Sequence, residues 1–232
     1  MPITTVGLDA DDTLWHNETL FRLTQDRFLD LLTDHDTEAV RARLAEVERR
    51  NLRLYGYGVK GFTLSMIETA MEMCDGEPPA GAIREILAAG REMLAHPVET
   101  LPGVDEALAR LSERYRLVLV TKGDLLDQER KLAASGLGEL FAAVEIVSEK
   151  DRTTYDRVFA RHGTGAAEAV MAGNSMKSDV LPALEAGAFA VHLPYAITWA
   201  HELADAPQDH PRYGALDRID DLPDWIDRRS DG

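Results

Sequence analysis

Between residues 101 and 193, helical stretches alternate with short apolar runs, and this alternation leaves few folds open. Val104, Leu108 and Leu111 fall on one helix face and precede the run RLVLV at 116–120. A helix over 125–134 precedes AVEIV at 143–147, one over 155–161 precedes AVMAG at 169–173, and one over 180–185 precedes FAVHL at 189–193. Strands that each follow a helix specify a doubly wound parallel sheet. A further short β-branched run at 3–8 is expected to join it. Beyond Tyr195 the pattern is mixed, and only a closing helix over 222–228 is read.

Residues 18–94 have a different texture. Phe21, Phe28 and Leu32, then Val40, Leu44 and Val47, then Leu64, Ile67, Met71 and Cys74, and finally Ile83 and Leu87 recur at helical spacing. Breakers such as GYGVKG and DGEPPAG separate them. This reads as a bundle of about four helices inserted after the first strand. The expected architecture is an α/β Rossmann-like doubly wound sheet over 1–16 and 99–232, with an α-helical bundle cap over 17–98.

Composition excludes some partners. The 232 residues carry a formal net charge of −16, which repels nucleic-acid backbones and anionic lipid, so neither is an expected partner. No apolar stretch is long enough to cross a membrane. The start MPITTVGLDA lacks the basic residues and apolar run of a secretory signal. Cys74 is the single cysteine, so no internal disulfide forms. The expected location is the cytoplasm, and the expected assembly is a monomer or homodimer.

The chemistry-bearing residues sit just after the strands, where parallel sheets bind ligands. The first run ends in Asp9, Asp11 and Asp12, with Thr13 and Leu14 behind them. RLVLV ends in Thr121, Lys122 and Gly123. AVEIV is followed by Ser148, Glu149 and Lys150. AVMAG ends in Asn174 and Ser175, with Asp179 five positions beyond Asn174. Singly, each has an ordinary use as a turn residue, a helix cap or a solvated lysine. Three crowded carboxylates at the end of a buried strand nonetheless need a cation, or a task that uses the charge.

This ordered set resembles the haloacid dehalogenase (HAD) superfamily, in its phosphatase-like branch with a helical cap after the first motif. The first motif, D-x-D-x-T-L, is matched by Asp9, Asp11, Thr13 and Leu14. Thr121 stands for the second and Lys150 for the third. The fourth, G-D-x-x-x-x-D, is matched by Gly173, Asn174 and Asp179, with an amide where the family usually has a carboxylate. LPGVDEALARL at 101–111 is similar to the family's return from cap to core. Lys122 replaces a more usual Asn.

The resemblance implies that Asp9 is the nucleophile and Asp11 the general acid and base. It also implies that Thr121, the N–H groups of Lys122 and Gly123, and Lys150 bind the phosphoryl group. Mg²⁺ is the implied cofactor, on Asp9, the main-chain carbonyl of Asp11, Asp179 and Asn174. The implied function is hydrolysis of a small phosphorylated metabolite through an aspartyl phosphate. The alternatives are a phosphomutase of the same superfamily or a non-catalytic metabolite-binding module. Asp11 separates the branches, because a departing halide needs no proton. Tyr55, Tyr57 and Lys60, on the Gly-punctuated loop LYGYGVKGF at 54–62, are either a specificity lid or the packing of an interhelix turn. Trp15 and His16 lie where a pocket mouth would be. Asp12 reads as helix-cap or loop structure. His192, His201 and His210 have no metal-like spacing and read as structural or exposed.

Overall fold

The stretch Thr-Val-Gly-Leu is buried at all four positions, as a strand covered on both faces requires. It forms β1 (Thr5–Leu8) at the centre of the sheet in the computed structural model, which describes residues 2–197, 199 and 202–230. The other strands are β2 (Arg116–Lys122), β3 (Ala143–Val147), β4 (Ala169–Gly173), β5 (Phe189–His192) and β6 (Tyr213–Ala215). Every pair is parallel, in the order β3-β2-β1-β4-β5-β6. The expected doubly wound α/β sheet is therefore present. The order runs outward in both directions from β1, so the switch point that parallel sheets use for ligands lies at the end of β1.

Period-two alternation divides the core into two layers. Val6, Leu8, Leu117 and Leu119 pack with α5 (Val104–Ser112) and α9 (Leu222–Ser230), through Leu108, Leu111, Trp225 and Ile226. Val118, Val120 and Met171 face the other way, onto α7 (Arg152–His162) and α8 (Leu181–Glu185), through Tyr155, Phe159 and Ala183. Gly7 is small because a Cβ there would lie 3.0 Å from Met171 Sδ and 3.1 Å from the Phe159 ring. Strand β6 had no signal in the sequence: it has three residues, one of them glycine, and forms by pairing with β5.

The chain divides into two compact units. One comprises Met1–Glu18, Val98–Lys122 and Gln128–Gly232; the other comprises Thr19–Pro97 with Gly123–Asp127. Where the chain departs from the sheet unit and where it returns, it pairs with itself. Trp15 bridges Thr100 antiparallel, His16 N–H donates to Glu99 O at 3.1 Å, and Leu101 N–H donates to Leu14 O at 2.9 Å.

The second unit holds α1 (Glu18–Leu29, from Thr19 on), α2 (Thr37–Tyr55), α3 (Val59–Met73) and α4 (Ala82–Ala95). Asp36 caps α2 by accepting from Ala39 N–H at 2.9 Å. Phe28, Leu32, Val40, Leu44, Phe62, Met66, Ile86 and Met93 form its core. On α3 the buried face differs from the expected stripe. Phe62, Met66 and Ala70 are inside, whereas Leu64 and Met71 are each 40% exposed. Apolar residues occur around much of this helix, so periodicity alone left the face open. Small polar residues also fit inside, because Ser65 and Thr69 hydroxyls donate to the carbonyls of Gly61 and Ser65 one turn back, each at 2.8 Å.

Glu48 on α2 is partly buried, and burial pushes its carboxyl up to about 7. The folded protein therefore keeps this proton to a higher pH than the unfolded chain, whose glutamate titrates near 4.5. Its effect on stability is most favourable below about pH 4.5 and is lost as pH rises through 7. Glu48→Gln should raise the melting temperature at pH 8 by an amount corresponding to about 1–2 kcal/mol, with the gap falling to about a quarter of that at pH 5. Thermal unfolding at the two pH values checks this; an equal gap at both would refute it.

Candidate active site

Asp9 follows β1 directly, and its N–H donates to Ala172 O on β4 at 3.0 Å, so the strand pairing carries one residue past β1. Its side chain is 9% exposed. Lys150 Nζ donates to Asp9 Oδ1 at 2.5 Å and to Asp179 Oδ1 at 2.7 Å, and the ammonium is buried between the two. Burial pushes the Asp9 carboxyl up to about 7; the Lys150 ammonium opposes that rise and the Asp179 charge adds to it. Burial works against the Lys150 charge too, but the two carboxylates outweigh it and hold the ammonium above its usual range.

The topology explains how these residues meet. β3 pairs with β2 up to Val147, and Lys150 comes three residues later. Asp179 lies in one turn of π-helix, Met176–Val180, that follows β4. Ser175 N–H donates to Asp179 Oδ2 at 2.9 Å and so fixes that carboxylate. Gly173 permits the arrangement, since a Cβ there would fall 2.3 Å from Asp179 Oδ2. Thr13 closes the other side. Its hydroxyl donates to Asp9 Oδ2 at 2.9 Å and accepts from Asn174 N–H at 3.0 Å. His192, partly buried at the end of β5, sits with Nε2 3.0 Å from the Asn174 carbonyl.

Asp11 is anchored by Trp15 and by two side chains the sequence did not single out, Gln128 and Lys131. Trp15 Nε1 and Lys131 Nζ donate to its Oδ1 at 2.7 and 2.9 Å, and Gln128 Nε2 donates to its Oδ2 at 3.1 Å. Gln128 and Lys131 lie on α6 (Leu125–Ser135). Gln128 Nε2 also lies 2.8 Å from Thr121 Oγ1 and 2.7 Å from Lys122 O, so its two hydrogens are shared among three acceptors at the ends of β1 and β2. Trp15, placed at the pocket mouth by the sequence, is buried. His16 is exposed, with Nδ1 2.6 Å from the Tyr195 hydroxyl. Asp12 adopts φ +60° and caps α1, taking the N–H groups of Asn17 and Glu18 on Oδ1 at 2.9 and 3.0 Å.

Lys122 has a partner that the sequence gave no sign of. Its Nζ donates to Glu202 Oε1 at 2.7 Å and to Ser178 Oγ at 2.8 Å. Burial works against the Glu202 charge, but the Lys122 ammonium and the hydroxyls of Ser175 and Ser178 outweigh it and hold that carboxyl at about 2. Gly123, at φ +135°, groups with the helical unit. Within that unit the Tyr55 hydroxyl donates to Glu68 at 2.9 Å, Lys60 Nζ pairs with both oxygens of Asp124 at 2.9 Å, and Tyr57 is partly buried. His210 is exposed, and His201 lies outside the described residues.

The oxygen donors here are of the kind a hard divalent cation takes. Among the described residues no three His, Cys, Asp or Glu side chains form a metal cage. A cation would therefore rely on the Asp9 and Asp179 carboxylates, amide or main-chain oxygens, and water. That suits Mg²⁺, which binds proteins through one or two carboxylates and keeps several waters.

Comparison with known proteins identifies the family. No curated protein matches the sequence. A haloacid dehalogenase-like family hydrolase from Xanthomonas campestris is 41% identical, over 99% of this chain and 93% of its own, with a TM-score of 0.89. Two more distant structures share the fold. The magnesium-bound YfnB protein of Bacillus subtilis is 16% identical, over 97% of this chain and 99% of its own, with a TM-score of 0.68. An L-2-haloacid dehalogenase from Xanthobacter autotrophicus, with chloropropionic acid covalently bound, is 15% identical, over 97% of this chain and 98% of its own, with a TM-score of 0.64. The family model for haloacid dehalogenase-like hydrolases matches residues 3–187, which span all the residues proposed to react or to hold the metal, and the chain belongs to that family.

Proposed function

We propose that the protein is a Mg²⁺-dependent phosphomonoesterase that hydrolyses a small phosphorylated metabolite through an aspartyl phosphate on Asp9. The observation that carries this reading is Asp11. A second carboxylate, two residues after the nucleophile and one quarter exposed, is useful where an oxygen leaving group needs a proton and idle where halide leaves. The fold alone does not decide, since dehalogenases share it.

In this reading an Asp9 carboxylate oxygen attacks phosphorus. The ester P–O bond breaks, and the leaving oxygen takes its proton from Asp11. Water then attacks the phosphoryl group and gives a proton to Asp11, and the bond to Asp9 breaks to release inorganic phosphate. Asp9, Asp179, Asn174 and the Asp11 carbonyl would hold Mg²⁺. When bound, the ion offsets phosphoryl charge that the carboxylates would otherwise repel. Thr121 donates its hydroxyl to a phosphoryl oxygen. Lys150 restrains Asp9 and balances the charge that develops on the phosphoryl group.

The test is to supply p-nitrophenyl phosphate and, separately, 2-chloropropionate, each with and without Mg²⁺. Phosphate release that requires Mg²⁺, with no halide release, is expected. Halide release without phosphate release would replace this reading with dehalogenation.

A further inference from the structure

We infer that Lys131, acting with Gln128, is a positioning residue that anchors Asp11 for the water-attack half of the reaction. The inference rests on the phosphomonoesterase reading above. The two side chains are three apart on α6 and therefore share one face. That face meets Asp11 at both carboxylate oxygens.

The two oxygens are treated unequally. Oδ1 takes two donors, the Trp15 indole at 2.7 Å and the Lys131 ammonium at 2.9 Å. Oδ2 has a longer contact, from the Gln128 amide at 3.1 Å. Oδ1 is the fixed end and Oδ2 is the end left to exchange protons. Each donor is itself held. Trp15 is buried. Lys131, with a side chain 11% exposed, is tied on its far side to Asn17 Oδ1 at 2.8 Å. Gln128 is 2% exposed and bound to Thr121 and Lys122. Placing an ammonium so deep costs free energy that a neutral donor would avoid. Its return is a charge-assisted bond, which fixes orientation more firmly than a neutral one.

The two half-reactions feel this anchor differently with a good leaving group. In the first, the Asp9–phosphorus bond forms and the ester bond breaks; p-nitrophenolate departs without needing a proton, so Asp11 contributes little. In the second, the water oxygen bonds to phosphorus, its proton passes to Asp11, and the Asp9–phosphorus bond breaks. This step needs Asp11 aimed at the water. Loosening Asp11 slows the second step and leaves the first almost untouched.

With p-nitrophenyl phosphate and Mg²⁺, Lys131→Met is expected to lower kcat by about 10- to 100-fold. KM should fall by a similar factor, leaving kcat/KM nearly constant. A burst of p-nitrophenol should appear, and acid-quenched protein should carry the mass of one added phosphoryl group. Lys131→Arg should restore most of the kcat, since it keeps the charge and the donors. Asn17→Ala, which removes only the far anchor of the ammonium, should give a weaker burst and keeps the test open if Lys131→Met does not fold. An active wild type with no burst in either Lys131→Met or Asn17→Ala, or a Lys131→Met whose loss lies in kcat/KM, overturns the inference alone. An inert wild type overturns the phosphomonoesterase reading and the inference with it.

Discussion

Lys150→Met should lose about 3–5 kcal/mol of unfolding free energy at neutral pH, a large share of what a protein of this size possesses. The cause is local. Lys150 is the cation between Asp9 and Asp179, and its side chain is 2% exposed. Methionine fills similar space but leaves both carboxylates buried without their counter-ion. Replacing one member of a buried ionic group costs far more than the group contributes as a whole, because the remaining charges cannot reach water. Added Mg²⁺ should recover part of the loss, since a cation that binds only the folded state stabilises it in proportion to the logarithm of its concentration over Kd. Urea unfolding with and without Mg²⁺ measures both effects. A variant as stable as wild type in the absence of metal would show that the Lys150 bridge does not hold these carboxylates in place.

The second large effect is catalytic. Asp9→Asn should reduce kcat for p-nitrophenyl phosphate by about four orders of magnitude or more, because an amide oxygen does not form the covalent intermediate. The fold should persist. Asparagine matches aspartate in shape, can turn its oxygen to the Lys150 ammonium and its amide N–H to the Thr13 hydroxyl oxygen, and leaves Lys150 paired with Asp179. Circular dichroism and steady-state turnover, measured on the same preparation, separate loss of chemistry from loss of structure. A well-folded Asp9→Asn protein that retains more than about one per cent of the wild-type rate would mean that another group attacks phosphorus.

Much of the sheet was legible because buried parallel strands are short apolar runs between helices. The expected strands at 143–147 and 169–173 coincide with β3 and β4. β2 runs two residues past the expected 116–120, because Thr121 and Lys122 continue the ladder to Ile146 and Val147. A polar residue at a strand end carries no sign of whether the pairing extends to it. In the helical unit the sequence indicated helices, but of the stripe expected on α3 only Ile67 and Cys74 pack against the core, because Ser65 and Thr69 take buried positions beside Phe62 and Met66.

The site was legible only in part. Asp9, Lys150 and Asp179 share one hydrogen-bonded group, as their positions after separate strands suggested. Gln128 and Lys131 were passed over because a Gln and a Lys one turn apart on a polar helix face look like solvated surface. Only the strand order, which sets β2 and the helix after it beside β1, gives them a role. Glu202 is 80 residues from Lys122, and nothing local to either marks their pairing.

The self-pairing of the chain at Trp15 with Thr100, and of Leu14 with Leu101, has a consequence for how such proteins diversify. The exit and re-entry threads are already stitched together, so the length and shape of what lies between them barely constrain the scaffold. One insert can be traded for another while the carboxylates that follow β1 keep their place at the end of the sheet.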